Sequence, residues 1–104
     1  MNMTAKEKII LVAKKKILYL PHAVRQMSRP DRMISHSDVK EVVLQGQIIE
    51  EYIDDPRGES CLICYINNRP IHVVCSPKDE YLAIITAYIP DPKLWSDDFL
   101  KRIK

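Results

Sequence analysis

The hydrophobic pattern of this chain changes its period once, near Gly46, and the change limits the fold more than any other feature of the sequence. Before Gly46, apolar residues recur at the three- and four-residue spacing of amphipathic helices. From Ile48 onward, short apolar runs are separated by turn residues, which is typical of strands. Helices first and strands second predict an α+β fold.

Three helices are predicted in the first part of the chain, and each has its own start signal. Thr4 can act as an N-cap, and Pro21 suits a first helical turn. Ser35 is followed three residues later by Asp38, as in a capping box. The second helix should end before Pro30, because the residue preceding a proline is disfavoured in helical geometry. The predicted helices span residues 4–16, 21–28 and 35–46.

Four strands are predicted after the third helix. The segments between them are short and contain Asp, Asn, Pro or Gly, so we expect hairpins and an antiparallel meander. In the last strand, Ala83, Ile85 and Ala87 should face the core. Trp95 should seal the edge of that core, and the acidic-to-basic order of residues 96–104 predicts a short final helix. The predicted strands span residues 48–53, 61–66, 71–76 and 81–89.

Length and composition predict a single domain over residues 1–104, because 104 residues with 46% hydrophobic content suffice for one core and are too few for two. The formal net charge of +2 does not by itself indicate nucleic-acid binding, although basic residues are concentrated in the first third. Three consecutive lysines end the apolar run near the N-terminus, so we expect no signal peptide or membrane span. A cytoplasmic location is predicted.

The three cysteines are expected in the core rather than in a metal or redox site. Cys61 and Cys64 have the spacing of a zinc knuckle, but two strand residues three apart point to opposite faces of a sheet. An odd number of cysteines also fits a reducing compartment better than a disulfide framework. The sequence therefore predicts neither a metal nor another cofactor.

Two histidines mark a candidate site. His22 opens the second helix with Arg25 on the same side, away from the apolar face. His72 lies in an apolar strand, where alternation turns its side chain away from Ile71 and Val73. Alone, each has an ordinary explanation, as a solvated helix start or a hydrogen-bonded sheet residue. Combined with nearby basic and hydroxyl side chains, they predict a site. Those side chains are Arg25, Arg29, Arg32, Thr86 and Tyr88.

Several motifs together carry a family resemblance. They are His22-Ala23 with Met27, Ile34-Ser35 with Asp38-Val39, residues 46–50, and residues 69–74. Through them, residues 17–95 resemble a small bacterial family of domains of unknown function, often encoded beside YgiT-type zinc-finger antitoxins and similar to the RelE-like toxins. The chain departs from that family at Gln26, where arginine is usual, and in two extra residues near position 30. Residues 1–16 form an additional predicted helix.

The resemblance implies helices followed by a four-stranded antiparallel sheet, and a toxin of a type II toxin–antitoxin pair. Such a toxin is a metal-independent endoribonuclease that cleaves mRNA by attack of a ribose 2′-hydroxyl. His22 and His72 would share the acid and base roles, in either order. Arg25 and Arg32 would clamp phosphate, and the cognate antitoxin would be a YgiT-type zinc-finger protein. The expected catalytic residues are His22, His72, Arg25 and Tyr88, and the expected substrate-binding residues are Arg29, Arg32 and Thr86.

Two alternatives remain open at this point. The same histidines and arginines could grip an acidic partner in a non-catalytic binding module. The chain could instead form a homodimer through an edge strand at residues 48–53.

Overall fold

The fold is a five-stranded mixed sheet with three helices packed on one of its faces. The apolar side chains between the helices and that face form the core. The computed structural model describes residues 3–56 and 58–103. Within those ranges, no helix has the length and apolar character needed to cross a bilayer. The elements in chain order are α1 (Ala5–Lys15), β1 (Ile17–Tyr19), α2 (Pro21–Met27), α3 (His36–Gln45), β2 (Gln47–Tyr52), β3 (Ser60–Asn67), β4 (Arg69–Pro77) and β5 (Leu82–Tyr88).

The three predicted helices are confirmed, and their ends are fixed by local hydrogen bonds. Thr4 forms a capping box with Glu7 at the start of α1, because each side chain accepts from the other residue's backbone N–H. Ser35 and Asp38 form the same motif at the start of α3. At the other end of α3, the backbone N–H of Gly46 donates to the Val42 carbonyl at 2.7 Å.

The predicted four-stranded antiparallel sheet is wrong, because the sheet has five strands in the order β1-β5-β4-β3-β2 and the β1–β5 pair is parallel. The missed strand, β1, has only three residues and no room for the alternation that marks a strand. It exists because β5 offers an edge: the Leu82 N–H donates to the Lys16 carbonyl, and the Leu20 N–H donates to the Ile84 carbonyl. The four predicted strands are present as β2 to β5.

The two faces of the sheet have different partners. The helix face packs its buried side chains against the three helices, and Ile63, Val73 and Ile84 are at its centre. The opposite face, which we call the outer face, carries the alternate residues of the same strands. Cross-strand pairing places the outer-face residues in register: Cys64 opposite His72, His72 opposite Tyr88, Leu62 opposite Val74, and Val74 opposite Thr86.

A β-bulge in β5 corrects one further expectation. Between the pairs Val74–Thr86 and Cys75–Ile84, the register shifts by one residue at Ile85. The core-facing residues of β5 are therefore Leu82, Ile84 and Ala87, whereas the sequence predicted Ala83, Ile85 and Ala87. The extra residue reverses the alternation within the strand, which is the effect a bulge has. Beyond the bulge, Thr86 and Tyr88 both lie on the outer face.

The predicted helix over 96–104 is also wrong, because residues 96–103 contain turns and an isolated bridge between Trp95 and Arg102. Short polar side chains compete with helical hydrogen bonding in this segment. The Ser96 hydroxyl donates to Asp98 at 2.6 Å, and Phe99 has a left-handed φ of 61°. Residues 90–103, which we call the strap, cross the outer face at the end that carries His72. Residue 104 lies outside the described range.

Candidate functional site

His72 lies beneath the strap, fully buried, and both of its ring nitrogens are hydrogen-bonded. Nε2 is 2.9 Å from the Phe99 carbonyl oxygen, and Nδ1 is 3.3 Å from the Tyr88 hydroxyl. Because a carbonyl only accepts, Nε2 carries the proton and donates it, which leaves Nδ1 to accept from Tyr88. Burial lowers the pKa of His72, opposed by the Phe99 hydrogen bond and by Glu50.

The strap is held over His72 by an edge-on aromatic contact, a cation–π contact and an ion pair. The Trp95 ring is 3% exposed and meets the His72 ring edge-on with centroids 4.5 Å apart, so Trp95 covers the outer face at His72, whereas the sequence predicted that it seals the edge of the core. Arg102 lies over the indole ring, 4.7 Å from its centroid. The same guanidinium forms a two-point ion pair with Glu50 of β2, at 2.7 and 3.0 Å. This pair holds the pKa of Glu50 below its usual value.

An open cleft of about 540 Å³ adjoins the covered half of the outer face. Its walls come from five parts of the chain: the first turn of α2, the end of β2 with the turn that follows, β4, β5 and the strap. The volume is within the range of small-molecule sites. The lining residues are His22, Tyr52, Asp55, Pro56, Val74, Ile85, Thr86 and Arg102.

Two of the predicted site residues, His22 and Thr86, meet in this cleft. Ala23 and Met27 turn one side of α2 into the core, so His22 faces away from it and is exposed. Thr86 is half-buried, opposite Val74 in the neighbouring strand. The structure thus brings together an exposed imidazole and a hydroxyl from residues far apart in the sequence.

The three arginines of the predicted site lie in three different environments. Arg25 is exposed one turn after His22, on the same side of α2. Arg29 is exposed and forms an ion pair with Asp31 at 3.3 Å, away from the cleft lining. Arg32 is half-buried and donates to the side-chain oxygen of Gln26.

Tyr88 belongs to the covered half rather than to the cleft, because its hydroxyl bonds to His72. Burial raises the pKa of Tyr88, and the charges of Arg102 and Arg32 act in the opposite direction. His36, which the sequence left outside the site, is exposed and stacks on Tyr19 with centroids 4.0 Å apart.

Sequence reasoning missed the other polar side chains of the cleft, which are Tyr52, Asp55 and Arg102. Asp55 follows β2 in a segment with ordinary turn composition, and Arg102 was assigned to a helix that does not form. Burial raises the pKa of Tyr52 to about 12, and its hydroxyl donates to Glu50. Tyr52 is the last residue of β2, and the pairing of β2 with β3 brings it to the cleft.

The cysteines lie on opposite sides of the sheet, as the alternation predicted for Cys61 and Cys64. Cys61 and Cys75 belong to the helix face and are paired across β3 and β4, whereas Cys64 is paired with His72 on the outer face. All three are buried thiols, and burial raises the pKa of each. In residues 3–56 and 58–103, no group of three His, Cys, Asp or Glu side chains is arranged to hold a metal ion.

Comparison with known proteins gives one match. No curated protein and no solved structure matches the chain significantly. A family model described as "Domain of unknown function (DUF4258)" matches residues 19–89. The matched segment begins in β1 and ends just after β5, so it contains His22 and His72, whereas α1 and the strap lie outside it. The chain therefore belongs to the DUF4258 family.

Proposed function

We propose that this chain is a metal-independent endoribonuclease that cleaves mRNA by attack of a ribose 2′-hydroxyl on the adjacent phosphate. The observation that carries the proposal is the cleft, in which the imidazole of His22, the hydroxyl of Thr86 and the guanidinium of Arg102 line one space of about 540 Å³. Its residues come from elements distant in the sequence, as is usual for binding sites built on a rigid sheet.

The chemistry of these groups suits transfer within a phosphodiester. The reaction needs proton transfer to and from oxygen, and positive charge near the phosphoryl oxygens. His22 is exposed at the cleft, and an imidazole can both accept and donate a proton near neutral pH. Arg102 in the lining and Arg25 beside His22 add positive charge, while the Thr86 hydroxyl can orient a bound nucleotide.

In this proposal His72 does not transfer a proton to substrate. It is fully buried, its Nε2 donates to Phe99, and its Nδ1 is hydrogen-bonded to Tyr88. We assign it a positioning role: its bond to the strap helps to hold Arg102 at the cleft. Tyr88 has the same role through its contact with His72.

The biological setting that we propose is a type II toxin–antitoxin pair, with mRNA as the substrate and a YgiT-type zinc-finger antitoxin as the partner. The resemblance of residues 17–95 described above supports this setting. Expression of the chain should then arrest growth, and co-expression of the adjacent antitoxin gene should relieve the arrest. Arrest that persists in a His22→Ala variant would contradict a nuclease origin of the effect.

The alternative of a homodimer through β2 has less support. An edge strand invites pairing when it is flat and apolar. The pairing of β2 with β3 is interrupted by a bulge at Ile49, and Glu51 is an exposed charge on the strand. Both features are ways in which proteins protect an edge.

The test is cleavage of a fluorescent RNA oligonucleotide by the purified chain in the presence of a chelator. His22→Ala should lower the rate by about 10²- to 10⁴-fold, the usual contribution of a proton-transfer group. His36→Ala is the matched control, because His36 is also exposed at the start of a helix and lies outside the cleft lining. Products should carry a 2′,3′-cyclic phosphate and a 5′-hydroxyl.

The same set of proteins is also measured in a cell-free translation reaction, so that a requirement for ribosomes does not hide activity. Equal rates for the parent and His22→Ala, after identical purification, would show that the cleavage comes from a contaminant or another site. RNA binding without cleavage in either format would support the non-catalytic module instead.

A further inference from the structure

The cleavage reaction needs a proton acceptor as well as a proton donor, and we infer that Asp55 is the acceptor and His22 the donor. This inference rests on the proposed function. Both side chains line the same cleft, Asp55 from the turn between β2 and β3 and His22 from the first turn of α2. A carboxylate and an imidazole are a chemically suitable base and acid at neutral pH.

Other titratable groups near the cleft suit the acceptor role less well. Tyr52 has a pKa raised to about 12, so at neutral pH it holds its own proton. Glu50 does not line the cleft. The nitrogens of His72 are both hydrogen-bonded beneath the strap.

The turn holds Asp55 in place through side-chain and backbone contacts. Its Oδ2 accepts a hydrogen bond from the Ser60 hydroxyl at 2.9 Å. Its backbone carbonyl accepts from the Gly58 N–H at 2.9 Å. A carboxylate whose orientation is fixed in this way is pre-organised for a substrate that enters the cleft.

Charged and titratable groups from each neighbouring element surround this turn. Each of these groups contributes to the electrostatic potential at the Asp55 carboxylate and therefore to the pH dependence of the rate. Among the residues that the structure describes, they include His22 from α2, Tyr52 and its partner Glu50 from β2, Arg102 from the strap, and Lys78, whose ammonium nitrogen lies near Gly58.

The step balances without any further reactant. Asp55 takes the proton of the ribose 2′-hydroxyl as that oxygen bonds to phosphorus. His22 gives its proton to the 5′-oxygen as the bond between phosphorus and that oxygen breaks. The products are a 2′,3′-cyclic phosphate and a free 5′-hydroxyl, and proton exchange with water restores both side chains.

The test is the pH–rate profile of Asp55→Asn, measured on the full chain with the RNA oligonucleotide. Cleavage should fall by about 10²- to 10⁴-fold, and the rise in rate on the acid side of the parent's profile should disappear. Affinity for the 2′-deoxy form of the oligonucleotide should be unchanged or tighter, because a negative charge beside the phosphate has been removed. A merely structural role would weaken binding and cleavage together.

Two control variants separate the carboxylate from the turn. Asp54→Asn removes the neighbouring exposed charge and should leave the profile unchanged. Ser60→Ala removes the hydrogen bond but keeps the Asp55 carboxylate, so the acid-side rise should persist with a smaller loss of rate. If thermal unfolding shows that Asp55→Asn is not folded, Asp55→Glu replaces it and should keep the rise at a lower rate.

The outcomes distinguish the inference from the function on which it rests. Cleavage by the parent together with an unchanged profile in folded Asp55→Asn overturns the role of Asp55 and leaves the nuclease intact. Loss of the acid-side rise in Asp55→Glu as well would also count against Asp55 as the base. A parent chain that cleaves no RNA at any pH overturns the proposed function itself.

Discussion

The outer face of the sheet has a covered half and an open half, and each has a histidine side chain beside it in an opposite environment. In the covered half, His72 is fully buried and bonded through both nitrogens to Tyr88 and the strap. In the open half, His22 is exposed at a cleft that also contains Thr86 and Arg102. One imidazole is therefore part of the fold, and the other is available to a ligand. Residue type alone does not distinguish them, but the surroundings do.

The largest expected effect is the loss of stability when Trp95, which covers His72 in the covered half, is truncated. Trp95→Ala deletes a buried indole that packs on His72 and should lower the free energy of unfolding by about 3–5 kcal/mol. Leu94→Ala is the control: Leu94 is 61% exposed, so its loss should cost less than about 0.5 kcal/mol. Chemical denaturation measures both. Similar stabilities for the two variants would mean that the strap does not cover His72 in solution.

The second largest expected effect is the difference in stability between variants of His72 and of His22. His72→Ala leaves a small cavity and removes a partner from both Tyr88 and the Phe99 carbonyl, so it should cost about 2–4 kcal/mol of stability. His22→Ala, at an exposed position, should change stability by less than about 0.5 kcal/mol. Denaturation of the two variants in parallel makes the comparison. A destabilised His22→Ala would place that ring in the fold rather than at a free site.

The covered histidine should also make stability depend on pH. Burial lowers the pKa of His72 from the ordinary value of 6.5, so below that value the unfolded chain binds a proton more readily. This part of the stability is fully present above pH 6.5 and is lost as the pH falls through it toward the folded-state pKa. Denaturation between about pH 7.5 and about pH 5 should show the decline.

The variant His72→Gln should have a flatter pH profile, whereas His22→Gln should retain the decline of the parent. Glu50 stays ionised through this window because Arg102 lowers its pKa, so it does not account for the effect. An identical slope in the parent and His72→Gln would show that other groups cause the decline.

The smallest expected effect on stability comes from the ion pair between Glu50 and Arg102, which joins the strap to β2. Glu50→Gln weakens the ion pair with Arg102, whose side chain is largely exposed, so the cost should be about 0.5–1 kcal/mol. Added salt should weaken this pair in the parent and have less effect in the variant. Denaturation at low and high ionic strength checks this. A difference that does not change with salt would mean that Glu50 acts by packing instead.

Features that depend on interactions between residues close in the sequence could be predicted from local sequence patterns. The caps at Thr4 and Ser35 bond to backbone groups three residues away, so they can be found in the sequence. The direction of His72 follows from strand alternation between two adjacent turns. In β5, the bulge at Ile85 reversed that alternation, and the sequence carries no glycine there to signal it.

Non-local features could not be predicted in the same way. β1 forms because Lys16 and Leu20 pair with residues more than sixty positions later, at the edge of β5. The strap covers His72 through Phe99 and Trp95, which the charge pattern had assigned to a helix region or its flank. The sequence therefore predicted which way His72 points but not that it is covered, and it placed His22 at a helix start without showing the cleft beside it.

The most direct test of the difference between the open and covered halves measures the imidazole rings of His22 and His72 in one experiment. Long-range ¹H–¹⁵N NMR spectra of the parent chain are recorded while the 2′-deoxy RNA analogue is added. The account predicts that the ring signals of His22 shift and saturate, while those of His72 keep their positions. Saturable shifts of the His72 signals with unmoved His22 signals would contradict it, and would place the working site beneath the strap.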